Sequence, residues 1–299
     1  MSTGLITQLG YVGMSAHDLP AWNGLLTRLG MQVEEGAMSG RKALLVRLDE
    51  LSYRIAIAEG DADDVAFIGW EVPDRTVLGE AVAAAARRGV EFAPATRAEL
   101  EERGVLAMYW AADPLGVRHE VYAGPTVDDR KTIDRNLLGR FRGGPIGFGH
   151  ATVFASADAY APALDFYQGG LGLVESGRRD CLPTEGTPIT LLRCNERQHS
   201  LAVMVPSGTP GKKIAHVYAE YAELDFLGQA YDAALDLGVV TTTLGRHQAD
   251  HAVSFYASTP SGTELELGWD SRLILAGARI EKFRAQRQPS IWGHRKAGA

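Results

Sequence analysis

Five of the eight histidines in this 299-residue chain, His150, His199, His216, His247 and His251, fall between residues 150 and 251. A single histidine is more often a hydrogen-bonded structural group than a ligand. Two of these, however, hold matching places: His150 in Phe148-Gly149-His150-Ala-Thr-Val and His216 in Ile214-Ala215-His216-Val-Tyr, both short apolar runs that read as opening strands. Glu266 closes a third strand-like run. Two imidazoles and one carboxylate drawn from three strands make the facial set that holds a divalent ion such as non-haem Fe(II) and leaves positions open for substrate and dioxygen. Taken alone, Glu266 reads equally well as a surface glutamate on an alternating strand.

Positioning such a set requires strands at corresponding places, and the chain supplies them by repetition. Amphipathic helices are predicted at 19–29, 76–88, 160–168 and 226–237, each followed by a glycine suited to the left-handed residue that ends a helix. Apolar strands at 9–14, 65–72, 148–154 and 214–221 lead into them. This is one βαβββ module written four times, an α+β fold of paired modules in two similar domains. The segment from Trp110 through Asp113-Pro114-Leu-Gly116 to Glu120 matches that from Tyr256 through Thr259-Pro260-Ser-Gly262 to Glu266. Proline followed two residues later by glycine predicts a hairpin turn into the strand that carries each glutamate.

Aligning the copies puts Tyr11 and Phe67 where the second half has His150 and His216, and only Glu120 keeps a ligand type. The first half, 1–123, is therefore expected to be a degenerate, non-catalytic copy. Residues 124–145, charge-rich at Asp128-Asp129-Arg130-Lys131, read as a linker, 146–270 as the metal-binding domain, and 271–299 as a tail packing on the body through Trp292.

Composition narrows the classes further. The chain is 45% hydrophobic and 22% charged, as ordinary globular proteins are. A net charge of −7 argues against nucleic acid as the main partner. Cys181 and Cys194 are too few for a disulfide framework or a four-thiolate zinc site. The absence of Lys and Arg before Arg28 gives no charged signal region, and the apolar runs 81–86 and 201–205 are far below the ~20 residues a bilayer needs. A cytoplasmic protein without membrane contact is expected. The glycines at 169, 170 and 172 follow a helix instead of opening one, which excludes a phosphate loop, and the charges at 97–103 read as a solvated surface.

The run His247-Gln-Ala-Asp250-His251-Ala-Val-Ser-Phe255-Tyr256 through Thr259-Pro260-Ser-Gly262 to Glu266 resembles the signature of the type I extradiol ring-cleavage dioxygenases of the vicinal-oxygen-chelate superfamily. The similarity extends from Leu9-Gly-Tyr11 to Trp292-Gly293-His294, and is greatest to the two-domain 2,3-dihydroxybiphenyl 1,2-dioxygenases. It implies Fe(II) on His150, His216 and Glu266, although the same ligands accept Mn(II). It implies His199 beside the dioxygen site as acid–base group, His247 and Tyr256 on the catecholic oxygens, and Asp250 in the same network. His17, His119, His251 and His294 receive no role. Ala249 and Gln198 depart from residues common in the family, Asn and His, so changed substrate fit is expected before lost chemistry.

A catechol must lose a proton to chelate, and a divalent cation lowers oxygen-ligand pKa values, so chelation and deprotonation reinforce each other. The implied partners are a catechol and O2, with a homo-oligomeric assembly. Pocket walls are expected from 181–192 and 201–205, with Leu191 and Met204 as liners. Biphenyl, naphthalene, steroid and alkyl catechols stay open as substrates. A glyoxalase-like isomerase and a non-catalytic small-molecule binder are the alternatives of the same fold.

Overall fold

The computed structural model of the protein describes residues 4–127, 140–180, 187–208, 211–275, 279–282 and 290–298. Side-chain caps start four of the five α-helices among the described residues. α1 (Leu19–Arg28) starts at Asp18, whose carboxylate accepts the Ala21 N–H, and α2 (Arg75–Ala86) at Asp74, which accepts from Thr76 and Val77. The charged stretch expected as solvated surface forms α3 (Arg97–Arg103), held by a Thr96–Glu99 capping box; Arg97 and Glu101 are exposed as expected, but its last residue, Arg103, is buried. α4 (Ala157–Asp165) is capped by Ser156, whereas α5 (Leu224–Asp236) begins at Glu223 without a side-chain cap and packs Leu227, Ala230 and Ala234 inward. Gly30, Gly89 and Gly238 take left-handed φ after α1, α2 and α5, but the end of α4 departs from expectation: a π-turn over Phe166–Gly170 delays the left-handed residue to Gly172.

The first half supplies β1 (Gln8–Ala16), β2 (Gln32–Met38), β3 (Arg41–Arg47), β4 (Ile55–Glu59), β5 (Asp64–Val72), β6 (Ala93–Pro94), β7 (Val105–Ala112) and β8 (Arg118–Pro125). They form one sheet in the order β2-β3-β4-β1-β5-β8-β7-β6. The second half supplies β9 (Gly149–Phe154), β10 (Val174–Arg179), β11 (Ile189–Arg193), β12 (Leu201–Met204), β13 (Ile214–Glu220), β14 (Val240–His247), β15 (Val253–Ser258) and β16 (Glu264–Trp269). The tail adds β17 (Glu281–Lys282) and β18 (Ser290–Gly293), giving β17-β10-β11-β12-β9-β13-β16-β15-β14-β18. Without the two tail strands, this order repeats the first.

The register repeats as well. Tyr11 faces Gly69 and Gly69 faces Glu120; His150 faces Tyr218 and Tyr218 faces Glu266. Trp110 pairs with Glu120 as Tyr256 pairs with Glu266. Both Pro-x-Gly turns form as expected, with Gly116 and Gly262 at φ +72° and +73° and their N–H groups donating to the Asp113 and Thr259 carbonyls.

One continuous core runs through both halves, including Trp22, Trp70, Phe148 and Phe255. Polar contacts join them: Trp22 Nε1 donates to Ser261 Oγ at 2.9 Å and Tyr221 Oη to the Leu29 carbonyl at 2.7 Å. His119, buried between Trp70 and Asp113, belongs to this scaffold, since Tyr167 Oη reaches the same Asp113 carboxylate. Within the stretch expected as a linker, β8 runs to Pro125 and Phe141 stacks on Tyr221 at 4.5 Å; the charged run at 128–131 lies outside the described residues.

The tail closes both edges of the second sheet, β17 alongside β10 and β18 against β14, which protects exposed strand edges. Trp292 is not its anchor, being 48% exposed; backbone pairing at an edge strand leaves that ring outside. No helix among the described residues is long and apolar enough to cross a membrane.

Candidate metal centre

β9, β13 and β16 lie side by side, so alternate residues of each strand project from a common face. That alternation brings His150, His216 and Glu266 together. His150 Nε2 and His216 Nε2 are 3.2 Å apart, and each is 3.2 Å from Glu266 Oε2. Metal–ligand bonds of about 2.0–2.2 Å at right angles put neighbouring donors roughly 3 Å apart, so this triangle matches one face of a single ion. Asp250 with His150 and His199 makes a looser group, its donor atoms within 4.8 Å of one another.

The charge balance points the same way. Glu266 is buried, which opposes ionisation, yet hydrogen bonds with His150, His216 and His247 hold its carboxyl well below the usual range. Burial pushes His150 down more than Glu266 pulls it up, which favours a neutral imidazole with a free lone pair. The partners of Glu266 among the described residues are three histidines, Ser254 and Tyr256, with no lysine or arginine. A buried carboxylate surrounded by imidazoles and hydroxyls accommodates a divalent cation.

The other residues singled out from the sequence line the same cavity, about 280 Å³ in volume. His247 Nε2 lies 2.9 Å from Tyr256 Oη and 3.0 Å from Glu266 Oε1. The Tyr256 phenol is raised well above its ordinary pKa by burial and by the nearby Glu266. His199 lies over His150, ring centroids 3.9 Å apart, with Nδ1 2.6 Å from Gln198 Oε1. Burial, then the neighbouring His150, holds it well below the usual histidine range. Asp250 Oδ1 accepts the Ala252 N–H, fixing its loop at the rim. Ile189, Leu191, Ala202 and Met204 form an apolar wall, with Arg179, Thr187, Gln248 and Ala249 also lining the cavity. Residues 181–186 of the expected wall lie outside the described residues. His251, exposed and at φ +62°, is not among the lining residues.

Three contacts were not anticipated. Thr152 Oγ1 lies 2.9 Å from His216 Nε2, and Ser254 Oγ donates to Glu266 Oε1 at 2.7 Å. Both stand two residues from a singled-out side chain on the same strand face, a period that could have found them. His294, given no role, packs against His247 with ring centroids 4.2 Å apart and the rings tilted by 38°; it arrives from the tail, where no local spacing signals it.

The chain is similar to known proteins in sequence and in fold. The Glyoxalase/Bleomycin resistance protein/Dioxygenase superfamily model matches residues 147–267, and the model described as dihydroxybiphenyl dioxygenase BphC D1 matches 9–60. Biphenyl-2,3-diol 1,2-dioxygenase of Metapseudomonas furukawaii is 36% identical over 296 residues, covering 97% of this chain and 94% of that one. 1,2-Dihydroxynaphthalene dioxygenase of Sphingobium xenophagum is 37% identical over 273 residues, 89% of each chain. The crystal structure of 2,2',3-trihydroxybiphenyl 1,2-dioxygenase from Sphingomonas wittichii superposes with a TM-score of 0.85 at 28% identity, covering 97% of this chain and 99% of that one.

Proposed function

This chain belongs to the type I extradiol ring-cleavage dioxygenases of the vicinal-oxygen-chelate superfamily, and from that premise we propose that it cleaves a bulky substituted catechol with O2 and Fe(II). 2,3-Dihydroxybiphenyl or a similar bicyclic catechol is the substrate class, opened beside the diol to a hydroxy-oxo-dienoate. The carrying observation is the 3.2 Å triangle of His150, His216 and Glu266 at a cavity with an apolar wall. An aromatic substituent suits that wall, which offers Ile189, Leu191, Ala202 and Met204.

Bound by those three residues, the metal would supply the positive charge that favours a chelated catecholate and the open positions where substrate and dioxygen meet. The chain's own groups do the rest. Tyr256, kept protonated by its raised pKa, donates its hydroxyl to a catecholic oxygen, and the adjacent His247 Nε2 orients that hydroxyl and the second oxygen. His199 donates Nδ1–H to Gln198, which leaves Nε2 as the nitrogen that takes a proton from substrate and returns it to the developing oxygen anion. Asp250 sits close enough to His150 and His199 to share in that proton network. The isomerase and binder alternatives have no use for His199, His247 and Tyr256 gathered at one cavity.

In this reading residues 1–123 are a scaffold copy without chemistry, 124–145 connect, 146–270 carry the reaction and 271–299 strap the catalytic half. We also read the protein as a cytoplasmic homo-oligomer, in keeping with the buried free thiol of Cys194. The test is to mix anaerobically ferrous-loaded protein with 2,3-dihydroxybiphenyl and aerated buffer. A yellow product and one O2 consumed per catechol are expected. No uptake with this substrate, 1,2-dihydroxynaphthalene or 3-methylcatechol would contradict the reading, and parallel loading with Mn(II) identifies the working metal.

A further inference from the structure

The tail meets the site's residues at several points, Arg272 on the Ala249 and Asp250 carbonyls and Ser290 beside His247, and one of its side chains, His294, lies against the His247 ring. Gly293 pairs with Gly245 across β18 and β14. A Cβ on Gly245 would lie 2.4 Å from the His294 nitrogen and 2.6 Å from its Cγ, and one on Gly293 would lie 2.3 Å from the Leu244 carbonyl oxygen. Neither position has room for a side chain. His294 itself takes φ +52°, a conformation uncommon outside glycine. The resulting turn lays its ring on His247.

Both ring nitrogens are engaged. Nδ1 lies 2.6 Å from Ser290 Oγ, and Nε2 lies 3.0 Å from the Ser254 carbonyl oxygen and 3.2 Å from Ser254 Oγ. A carbonyl can only accept, so Nε2 carries the proton and Nδ1 accepts from Ser290. Ser254 is then free to direct its own hydroxyl hydrogen to Glu266 Oε1. Donation runs one way, from Ser290 through His294 and Ser254 to the carboxylate. It fixes Oε1, already contacted by His247, and leaves Oε2 facing His150 and His216.

We propose that His294 is a positioning residue for Glu266 and His247, so that the C-terminal strap completes the metal centre from outside. The inference rests on the metal assignment in the proposed function. Partners of this kind around ligating carboxylates are typically worth about 10–100-fold in metal affinity or activity.

The experiment measures Fe(II) and Mn(II) affinity anaerobically, by chelator competition and without turnover, in the full chain and its variants. His294→Asn keeps a residue tolerant of left-handed φ but is too short to reach Ser254. It should weaken binding about tenfold or more. Ser254→Ala should do the same, and the double variant should be no worse than either single, because both cut one chain. His294→Gln, long enough to donate an amide N–H, should recover part of the loss. Affinities equal to wild type, or losses that multiply in the double variant, would overturn the inference. If His294→Asn does not fold, Ser290→Ala decides: weaker metal binding supports the chain and unchanged binding overturns it. A wild-type protein that holds neither ion overturns the parent reading, and this inference with it.

Discussion

The concave faces of the two sheets share one register but are filled in opposite ways. Tyr11 stands where His150 stands, Phe67 where His216 does, and Tyr53, Met108 and Trp110 where the second half has His199, Ser254 and Tyr256. Only Glu120 and Glu266 keep their type. In the first half the carboxylate accepts from Arg103 Nε at 2.9 Å, Arg118 Nε at 2.8 Å and Tyr11 Oη at 2.7 Å. The Arg103 guanidinium lies 3.8 Å over the Phe67 ring. Gly13, the counterpart of Thr152, leaves room for that ring: a Cβ there would fall 2.2 Å from Phe67 Cζ. Tyr11, Tyr53 and Tyr122 fill the remainder. In the second half the carboxylate meets histidines, a serine and a tyrosine, and a cavity of about 280 Å³ remains.

The difference teaches what the fold requires and what the chemistry requires. A carboxylate buried at this register position needs a positive partner in either half, since an unpaired buried charge is costly. The first half builds that partner in, as Arg103 from α3 together with Arg118 from β8. The second half has no lysine or arginine on its carboxylate among the described residues, and the proposed function puts a divalent ion there, with positions open for substrate.

The comparison can be broken most severely at the ligands. His150→Ala and His216→Ala should each lose bound metal and turnover together, read by elemental analysis and O2 uptake, whereas Tyr11→Ala should cost stability and leave metal content unchanged. Next, His199→Ala should keep its metal yet turn over roughly 10²–10⁴-fold more slowly, the usual span for a general acid–base group; a metal-free His199 variant would make it a ligand instead. Arg103→Met removes one of the two cations on Glu120, and with Arg118 still bonded to that carboxylate urea unfolding should show about 1–3 kcal/mol of lost stability with metal affinity unaltered, because the damage is confined to the first half. Adding Glu120→Gln should restore part of it. The smallest effect is Tyr256→Phe, for which kcat should fall by about tenfold, the order of one lost hydrogen bond to substrate, with metal content intact.

Much of this was legible in the amino-acid sequence because duplication writes the same information twice. The match between Trp110–Glu120 and Tyr256–Glu266 located both hairpins, and the matched places of His150 and His216 picked out side chains that the structure brings together. Arg103 was not legible: a run of alternating charges looks like a solvated surface, and only the angle at which α3 packs shows that its last turn dips onto Glu120. His294 was hidden for a related reason. Its contact with Ser254 depends on how the tail returns to β14, which residue spacing along the chain does not record. Trp292 misled because a large apolar ring suggests an anchor, while the edge strand holds by backbone pairing and turns that ring to solvent.

The account depends most on where the cation goes in each half. Crystals of the protein grown with Fe(II) under argon, with anomalous differences collected at the iron edge, address this directly. The expected result is one peak per chain, bonded to His150 Nε2, His216 Nε2 and Glu266 Oε2, with none beside Glu120. A peak shared by Asp250 and His199 instead, a second ion in the first half, or no iron at all would contradict it.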